Sequence, residues 1–220
     1  MLIKNGFKVL FQGDSITDCH RTEKYTNFNE FYRGEDLGFG HPKMIASSIS
    51  AAYPELDITY YNRAISGNRT CDLVARWEND CLAICPDVMI LMIGLNDVWR
   101  KFDSNDPTSN EQFIKNYEYL LSSALKSNPN MKIVIIEPTY QNINNAHTAL
   151  FRAELLEKIE AIRILAKKYK THYLALDGIF SSLIMKTNFK KWFYDDGVHL
   201  TIHGYGVLSK ELLKIIETPS

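Results

Sequence analysis

Five short runs rich in aliphatic and β-branched residues recur along the chain: Phe7–Phe11, Asp57–Tyr61, Val88–Ile93, Lys132–Glu137 and His172–Leu176. Longer segments separate them, with apolar residues at helical spacing: Lys43–Ala52, Thr70–Cys81, Glu111–Lys126, Ala149–Lys170 and, last, His203–Ile216. The first kind reads as strands and the second as helices, in alternation. Helical crossovers of this length join parallel neighbours, and strands that are apolar throughout, such as Val88–Ile93, need cover on both faces. The pattern predicts an α/β fold, a three-layer α/β/α sandwich around a parallel sheet of five strands.

Local chemistry marks the element edges. Pro42 in "HPK" sits where a first helical turn tolerates a missing N–H, Thr108 or Ser109 in "DPTSNEQF" offers a cap, and Pro129 in "SNPNMK" closes the next helix. Two long irregular segments, residues 19–40 and 138–147, follow the carboxyl ends of predicted strands, where open parallel sheets form their ligand sites. No stretch reads as a linker. One domain is expected over residues 1–220, and with 45% hydrophobic residues it has the material for a single sizeable core.

Charge narrows the function. The 25 basic and 26 acidic side chains leave a net charge of -1 and are interspersed, which speaks against nucleic acid or an anionic membrane surface and for a small ligand. The apolar run Val88–Leu95, interrupted by Gly94, is far too short to span a bilayer. The opening "MLIKNGFKVLFQGDS" lacks the apolar core and cleavage site of a secretion signal, so a soluble, cytoplasmic protein is expected. Cys81 and Cys85 stand four apart, but no second Cys or His pair completes a zinc tetrad, and His41, His147, His172 and His203 are scattered. Cys19, Cys71, Cys81 and Cys85 are read as free thiols, and neither a metal nor another cofactor is expected.

Where the apolar pattern breaks, reactive side chains collect. "GDS" at residues 13–15 puts Ser15 in a tight turn after the first strand, its hydroxyl at the carboxyl edge of the sheet and the next amides facing any developing negative charge. This is not the G-x-S-x-G elbow, because Thr17 stands where the second glycine would. Alone, a serine here reads as readily as a cap. Near the other end, "WFYDDGVHLTIHGY" supplies Asp196 and His199 three apart, a spacing that lets one loop set a carboxylate against one imidazole nitrogen while the other faces outward. Serine activation needs that arrangement, and Asp195 competes for the acid role. Two more strand ends contribute. "YNRAISGN" offers Gly67, whose amide a ligand can approach closely, and "MILMIGLND" offers Asn96, a neutral amide donor for an oxyanion. Read singly, Gly67 is a turn former and Asn96 a cap.

Taken in order, G-D-S near the start, G-N after the second strand, G-x-N-D after the third and D-x-x-H near the end resemble the SGNH hydrolases, the GDSL-type esterases and lipases, over nearly the whole chain. The stretches "GDSITDC", "YPELDI", "ISGN", "ARWENDC" and "MIGLNDVWR" resemble a bacterial subgroup of intracellular acetylesterases acting on xylan-derived oligosaccharides. The resemblance implies a flavodoxin-like sandwich with strand order 2-1-3-4-5. It implies Ser15 as nucleophile, His199 and Asp196 completing the triad, and an oxyanion hole of the Ser15 and Gly67 amides with the Asn96 side chain. It also implies assembly into homo-oligomers. Leu200 follows the histidine where many members carry proline, and Gln12 precedes G-D-S where an aliphatic or aromatic residue is common; neither departure removes a reacting group.

The expected activity is a serine esterase hydrolysing short acyl esters, acetyl groups on carbohydrates such as xylo-oligosaccharides, without a cofactor. The polar "QNINNAH" offers no apolar lid for long acyl chains. A lysophospholipase or thioesterase is the alternative, since a triad and hole act on any activated acyl carbonyl. A flavodoxin-like phosphate binder would explain "GDSIT" but leave Asp196 and His199 idle. Candidate substrate contacts are Asp14, Trp99, Arg100, Tyr140 and Trp192, with Tyr194 beside them, because aromatic faces stack on the C–H patches of sugars. The same aromatic residues also suit core packing.

Overall fold

The structure is a computed structural model describing residues 1–22, 34–142, 144 and 146–218. Its strands are β1 (Lys8–Gly13), β2 (Thr59–Asn62), β3 (Val88–Met92), β4 (Lys132–Ile136) and β5 (His172–Leu174), hydrogen-bonded in the order β2-β1-β3-β4-β5. Every neighbouring pair is parallel, with Val9 beside Val88 and Val88 beside Lys132 in register. The helices are α1 (Ser15–Asp18), α2 (His41–Ala52), α3 (Thr70–Trp77), α4 (Leu95–Asp103), α5 (Asn110–Ser127), α6 (Ala146–Tyr169), α7 (Leu176–Ile184) and α8 (Ile202–Glu217).

Alternate strand residues feed two separate cores, which is why the strands show no polar face. Val9, Phe11, Ile90, Met92 and Val134 pack with Ile45 and Ile49 of α2 and Leu208 and Leu212 of α8. Leu10, Met89, Leu91 and Ile133 pack on the other side with Leu73 and Trp77 of α3 and Phe113 and Tyr117 of α5. α6 gives Leu155 and Ile159 to the first core and Ile162 and Leu165 to the second. The result is the expected α/β/α layering. Among the described residues no helix is long and apolar enough to cross a membrane.

Several boundaries differ from the sequence pattern. β1 runs on through Gln12 and Gly13; Gln12 is buried, and its Nε2 donates to the Asp80 carbonyl at 2.9 Å. The fifth strand stops at Leu174, and Leu176 instead opens α7, whose apolar run LDGIFSSLI carries Gly178 inside it. Regular helix in the 70–81 segment ends at Trp77, followed by a π-helical turn over Glu78–Leu82. α6 starts at Ala146, before the expected Ala149. Of the two candidate caps of α5, Ser109 serves, accepting from the Gln112 amide at 3.1 Å. Residues 23–33 of the 19–40 segment, and 143 and 145 of the 138–147 segment, lie outside the described residues.

The order β2-β1-β3 means the chain leaves β1 toward one side and later returns to its other side. Crevices of doubly wound sheets open at such a reversal, beyond the carboxyl ends of the strands, so the turn after β1 occupies the position that topology favours for a ligand.

Candidate active site

That turn is Gly13-Asp14-Ser15. A Cβ at Gly13 would stand 2.4 Å from the Met92 carbonyl oxygen of β3 and 2.6 Å from Thr17 Oγ1, so only glycine lets the first turn of α1 fold back over the sheet edge. Asp14 caps α1 by accepting from the Ile16 amide at 3.1 Å. Ser15 is the first residue of α1, where a backbone N–H has no partner within the helix.

The 192–201 segment brings the other end of the chain to the same edge. An antiparallel bridge between Phe193 and Leu200 pinches off a loop, with the Tyr194 amide donating to the His199 carbonyl at 2.9 Å and the Gly197 amide to Tyr194 at 3.0 Å. Inside it, Asp196 Oδ1 accepts from the amides of Val198 (2.9 Å) and His199 (3.0 Å), which leaves Oδ2 for His199 Nδ1 at 2.6 Å. His199 Nε2 lies 2.9 Å from Ser15 Oγ. Tyr205 of α8 ties the two ends further by donating its hydroxyl to the Ile16 carbonyl at 2.9 Å. Asp195 points elsewhere, its carboxylate paired with Lys190 at 2.8 Å. The structure thus sets Asp196, not Asp195, against the imidazole.

Charge reinforces the geometry. The hydrogen bond to Asp196 holds the His199 pKa above its ordinary value despite partial burial, with the nearby Asp14 carboxylate adding to the effect. Burial pushes Asp196 up, but the ring of His199 and the two amides it accepts from outweigh this and leave it below the usual carboxylate range. Asp14 behaves oppositely: desolvation raises it to about 7, against the pull of the Ile16 amide and of His199. A hydroxyl on a neutral imidazole that is oriented by an ionised carboxylate is the unit that turns a serine into a nucleophile.

The loop after β2 is fastened to this turn from both sides. The Ile65 amide donates to the Gly13 carbonyl at 3.3 Å, and Ser66 donates its amide (3.0 Å) and hydroxyl (2.5 Å) to Asp18 Oδ2. Asn96, in the first turn of α4, donates one Nδ2 proton to the Asn68 carbonyl at 3.1 Å, while Asp97 next to it accepts from the Thr70 amide (3.0 Å) and hydroxyl (2.6 Å). Gly67 is exposed between these anchors at φ +83°. The serine turn, the glycine loop and the asparagine are therefore tied into one framework.

A family model for GDSL-like lipases and acylhydrolases matches residues 11–207. The chain belongs to the GDSL-like lipase/acylhydrolase family. A curated acetylxylan esterase of Geobacillus stearothermophilus is 33% identical to this GDSL-family chain over 220 residues, 98% of this chain and 96% of that protein. The crystal structure of Axe2, an acetylxylan esterase from the same organism, superposes with a TM-score of 0.86 at 29% identity over 100% of this chain and 98% of that one. LAE5, an α/β hydrolase enzyme from the metagenome of Lake Arreo, Spain, does so with a TM-score of 0.86 at 25% identity, covering 98% and 97%. This GDSL-family protein is a carboxylic ester hydrolase.

Ser15 and His199 open into a cleft of about 710 Å³ whose walls include Phe39, Tyr194, Ile202 and Tyr205. Phe39, Tyr194 and Ile202 are exposed. Trp99, Arg100, Tyr140 and Trp192 are not among its walls. Trp99 packs edge-on against Phe151 and Arg100 pairs with Asp103 at 2.7 Å, so α4 uses both locally. Tyr140 is buried against Phe151, and Trp192 is buried with its indole N–H donating to Thr187. Asp14 is buried too, turned into its own helical turn. These residues sit near the reactive motifs in sequence, but their side chains serve packing and capping. Phe39 and Ile202, which do face the cleft, carry no local pattern that would separate them from surface apolar residues.

Proposed function

We propose that this esterase removes short acyl groups, acetyl above all, from carbohydrate esters such as acetylated xylo-oligosaccharides, working as one domain over residues 1–220. What carries the reading is the unbroken line from Ser15 Oγ through His199 to Asp196 at the mouth of the cleft. Likeness to an acetylxylan esterase over nearly the full length supports the substrate class, and solved structures of Axe2 include catalytic mutants at a serine, a histidine and an aspartate.

In this reading Ser15 attacks the ester carbonyl as its proton passes to His199 Nε2. The tetrahedral oxyanion is met by the amides of Ser15 and Gly67 and by Asn96 Nδ2. His199 then returns the proton to the departing alcohol oxygen, leaving an acyl-serine. Water, deprotonated by the same imidazole, releases the acid. Asp196 keeps the Nδ1–H tautomer and offsets the charge of the imidazolium. Phe39 and Tyr194 give the cleft exposed aromatic faces, suited to the apolar side of a sugar ring.

Acyl-chain length tests the substrate class. With 4-nitrophenyl esters, kcat/KM is expected to fall from acetyl to octanoyl; a steady rise would replace the acetylesterase with a lysophospholipase or thioesterase. A pH series tests the base. His199 takes a proton only when neutral, so kcat/KM rises with pH through a midpoint above the ordinary imidazole value of 6.5. The negative charge of Asp14 helps hold the proton on His199, so Asp14→Asn is expected to move that midpoint to lower pH while its side-chain oxygen still caps Ile16. An unmoved midpoint would separate Asp14 from the titration.

A further inference from the structure

The loop that presents Asp196 and His199 is half exposed, yet it must hold two contacts to within a few tenths of an ångström. Its internal bonds fasten the base of the loop at Phe193–Leu200 and the turn at Gly197. What steadies the tip comes from another element, the segment "TYQN" at 139–142 that follows β4. The Gln141 amide donates to the Gly197 carbonyl at 3.1 Å, and Asn142 Nδ2 donates to the Asp195 carbonyl at 2.6 Å. Gly197 and Asn142 also touch: a Cβ at Gly197 would lie 2.4 Å from Asn142 Cβ, and Gly197 has φ +75°. The carbonyls of the residues immediately before and after Asp196 are therefore held by two consecutive residues.

That segment is anchored in turn. The Gln141 side chain is buried, with its Nε2 within hydrogen-bond distance of Thr139 Oγ1 (2.9 Å), Asp177 Oδ1 (3.1 Å) and Ser181 Oγ (3.1 Å). Asp177 is gripped by Arg152 at both carboxylate oxygens, 2.5 Å each, and its amide donates to Glu137 Oε2 at 3.2 Å. A bidentate guanidinium–carboxylate pair fixes direction as well as distance. Neither Gln141 nor Asn142 is among the walls of the cleft.

We propose that Gln141 and Asn142 form a clamp that positions Asp196 against His199, with Asn142 as the adjustable jaw and Gln141 as the jaw anchored to the Arg152–Asp177 pair. The proposal rests on the serine esterase reading and adds positioning residues to it. A loosened clamp lengthens the Asp196–His199 contact, which costs turnover rather than binding and weakens the main influence that keeps His199 protonated. The groups facing that pair are Asp14 from the cap of α1, Tyr140 beside Asp196, and Cys19, His20, Tyr194 and Tyr205 around the cleft. None of them is altered by a substitution at Asn142.

Asn142 is only partly buried, so Asn142→Ala and Asn142→Asp test the clamp in a folded protein. With 4-nitrophenyl acetate, both are expected to lower kcat about tenfold, with KM within about twofold, the loss expected for one positioning hydrogen bond. The midpoint of the pH profile of Asn142→Ala should move toward 6.5, and Asn142→Gln, which keeps the donor, should recover part of kcat. Wild-type kcat in both variants overturns the clamp, and so does a loss of kcat in Asn142→Ala with an unmoved pH midpoint, since a purely structural residue gives that result. Ser15→Ala run alongside keeps the two claims apart. Retained activity there sinks the serine mechanism itself, whereas an inactive Ser15→Ala with a normal Asn142→Ala sinks only the clamp.

Discussion

Ser15→Ala and His199→Ala are each expected to lower kcat on 4-nitrophenyl acetate by about 10⁴-fold or more, and the double variant to be no slower than either alone. The non-additivity has a direct cause. In the proposed mechanism the 2.9 Å contact between Ser15 Oγ and His199 Nε2 does one job, moving a proton off the attacking oxygen, and removing either partner already abolishes it. Asp196→Ala should cost less, about 10²- to 10⁴-fold, because the imidazole can still accept a proton once thermal motion finds the right tautomer and orientation. Asp195→Ala should stay within about twofold of wild type: its carboxylate faces Lys190, and only its backbone carbonyl, which alanine keeps, is used by Asn142. Steady-state kinetics on variants with unchanged melting temperature, together with fluorophosphonate labelling at Ser15, read the result. A Ser15→Ala protein with wild-type turnover, or an inactive Asp195→Ala beside an active Asp196→Ala, would reverse the assignment.

The sheet was legible because its physics is one-dimensional. A run such as Val88–Met92 has no polar position, since Met89 and Leu91 feed one core while Val88, Ile90 and Met92 feed the other, and only a strand buried on both faces reads that way. α4 and α7 were not legible for the complementary reason. α4 is short and begins directly after Gly94, so that its first apolar residue, Leu95, reads as the end of the run that forms β3, although Leu95, Val98, Trp99 and Phe102 form a stripe on the core. α7 is so apolar that its leading Leu176 looks like a continuation of the fifth strand. Each spans nine residues, so its apolar stripe repeats for only about two turns.

In the site, sequence singled out the side chains the proposed mechanism uses and missed those that hold them. Ser15 and His199 are 184 positions apart, and what announced them was local: a polar triplet after an apolar run, and a carboxylate three residues before a histidine. The supports have no such mark. Asn62 binds the carbonyls of Thr17 and Leu37 through one amide, Ser66 binds Asp18, and Tyr205 binds Ile16, each joining elements that only the fold brings together. The aromatic residues divide between cleft and core. Tyr194 lines the cleft, whereas Tyr140 and Trp192 are buried and Trp99 is partly buried against the core, because burying a large apolar surface is favourable. Proximity along the chain does not by itself say which aromatic face opens into the cleft.

Asn96→Ala is expected to lower kcat about a hundredfold or more while changing KM by no more than about threefold. One proton of Asn96 Nδ2 is committed to the Asn68 carbonyl at 3.1 Å, which locks the amide plane. A primary amide carries a second proton, and locking the first fixes where the second points. A donor set in advance stabilises charge that appears only as the carbonyl carbon becomes tetrahedral, so its loss raises the barrier by about 3 kcal/mol without weakening the ground-state complex. The surroundings make the test a clean one. Asp97 remains bonded to Thr70, and Ile65 and Ser66 remain bonded to Gly13 and Asp18, so the loop carrying Gly67 keeps its anchors when the Asn96 side chain is cut back. Asn96→Asp sharpens the comparison: it places a like charge where the donor stood and should be at least as slow as the alanine variant above the carboxyl pKa. A loss that appears in KM, or a kcat within twofold of wild type, would make Asn96 a loop anchor alone and leave stabilisation of the oxyanion to backbone amides.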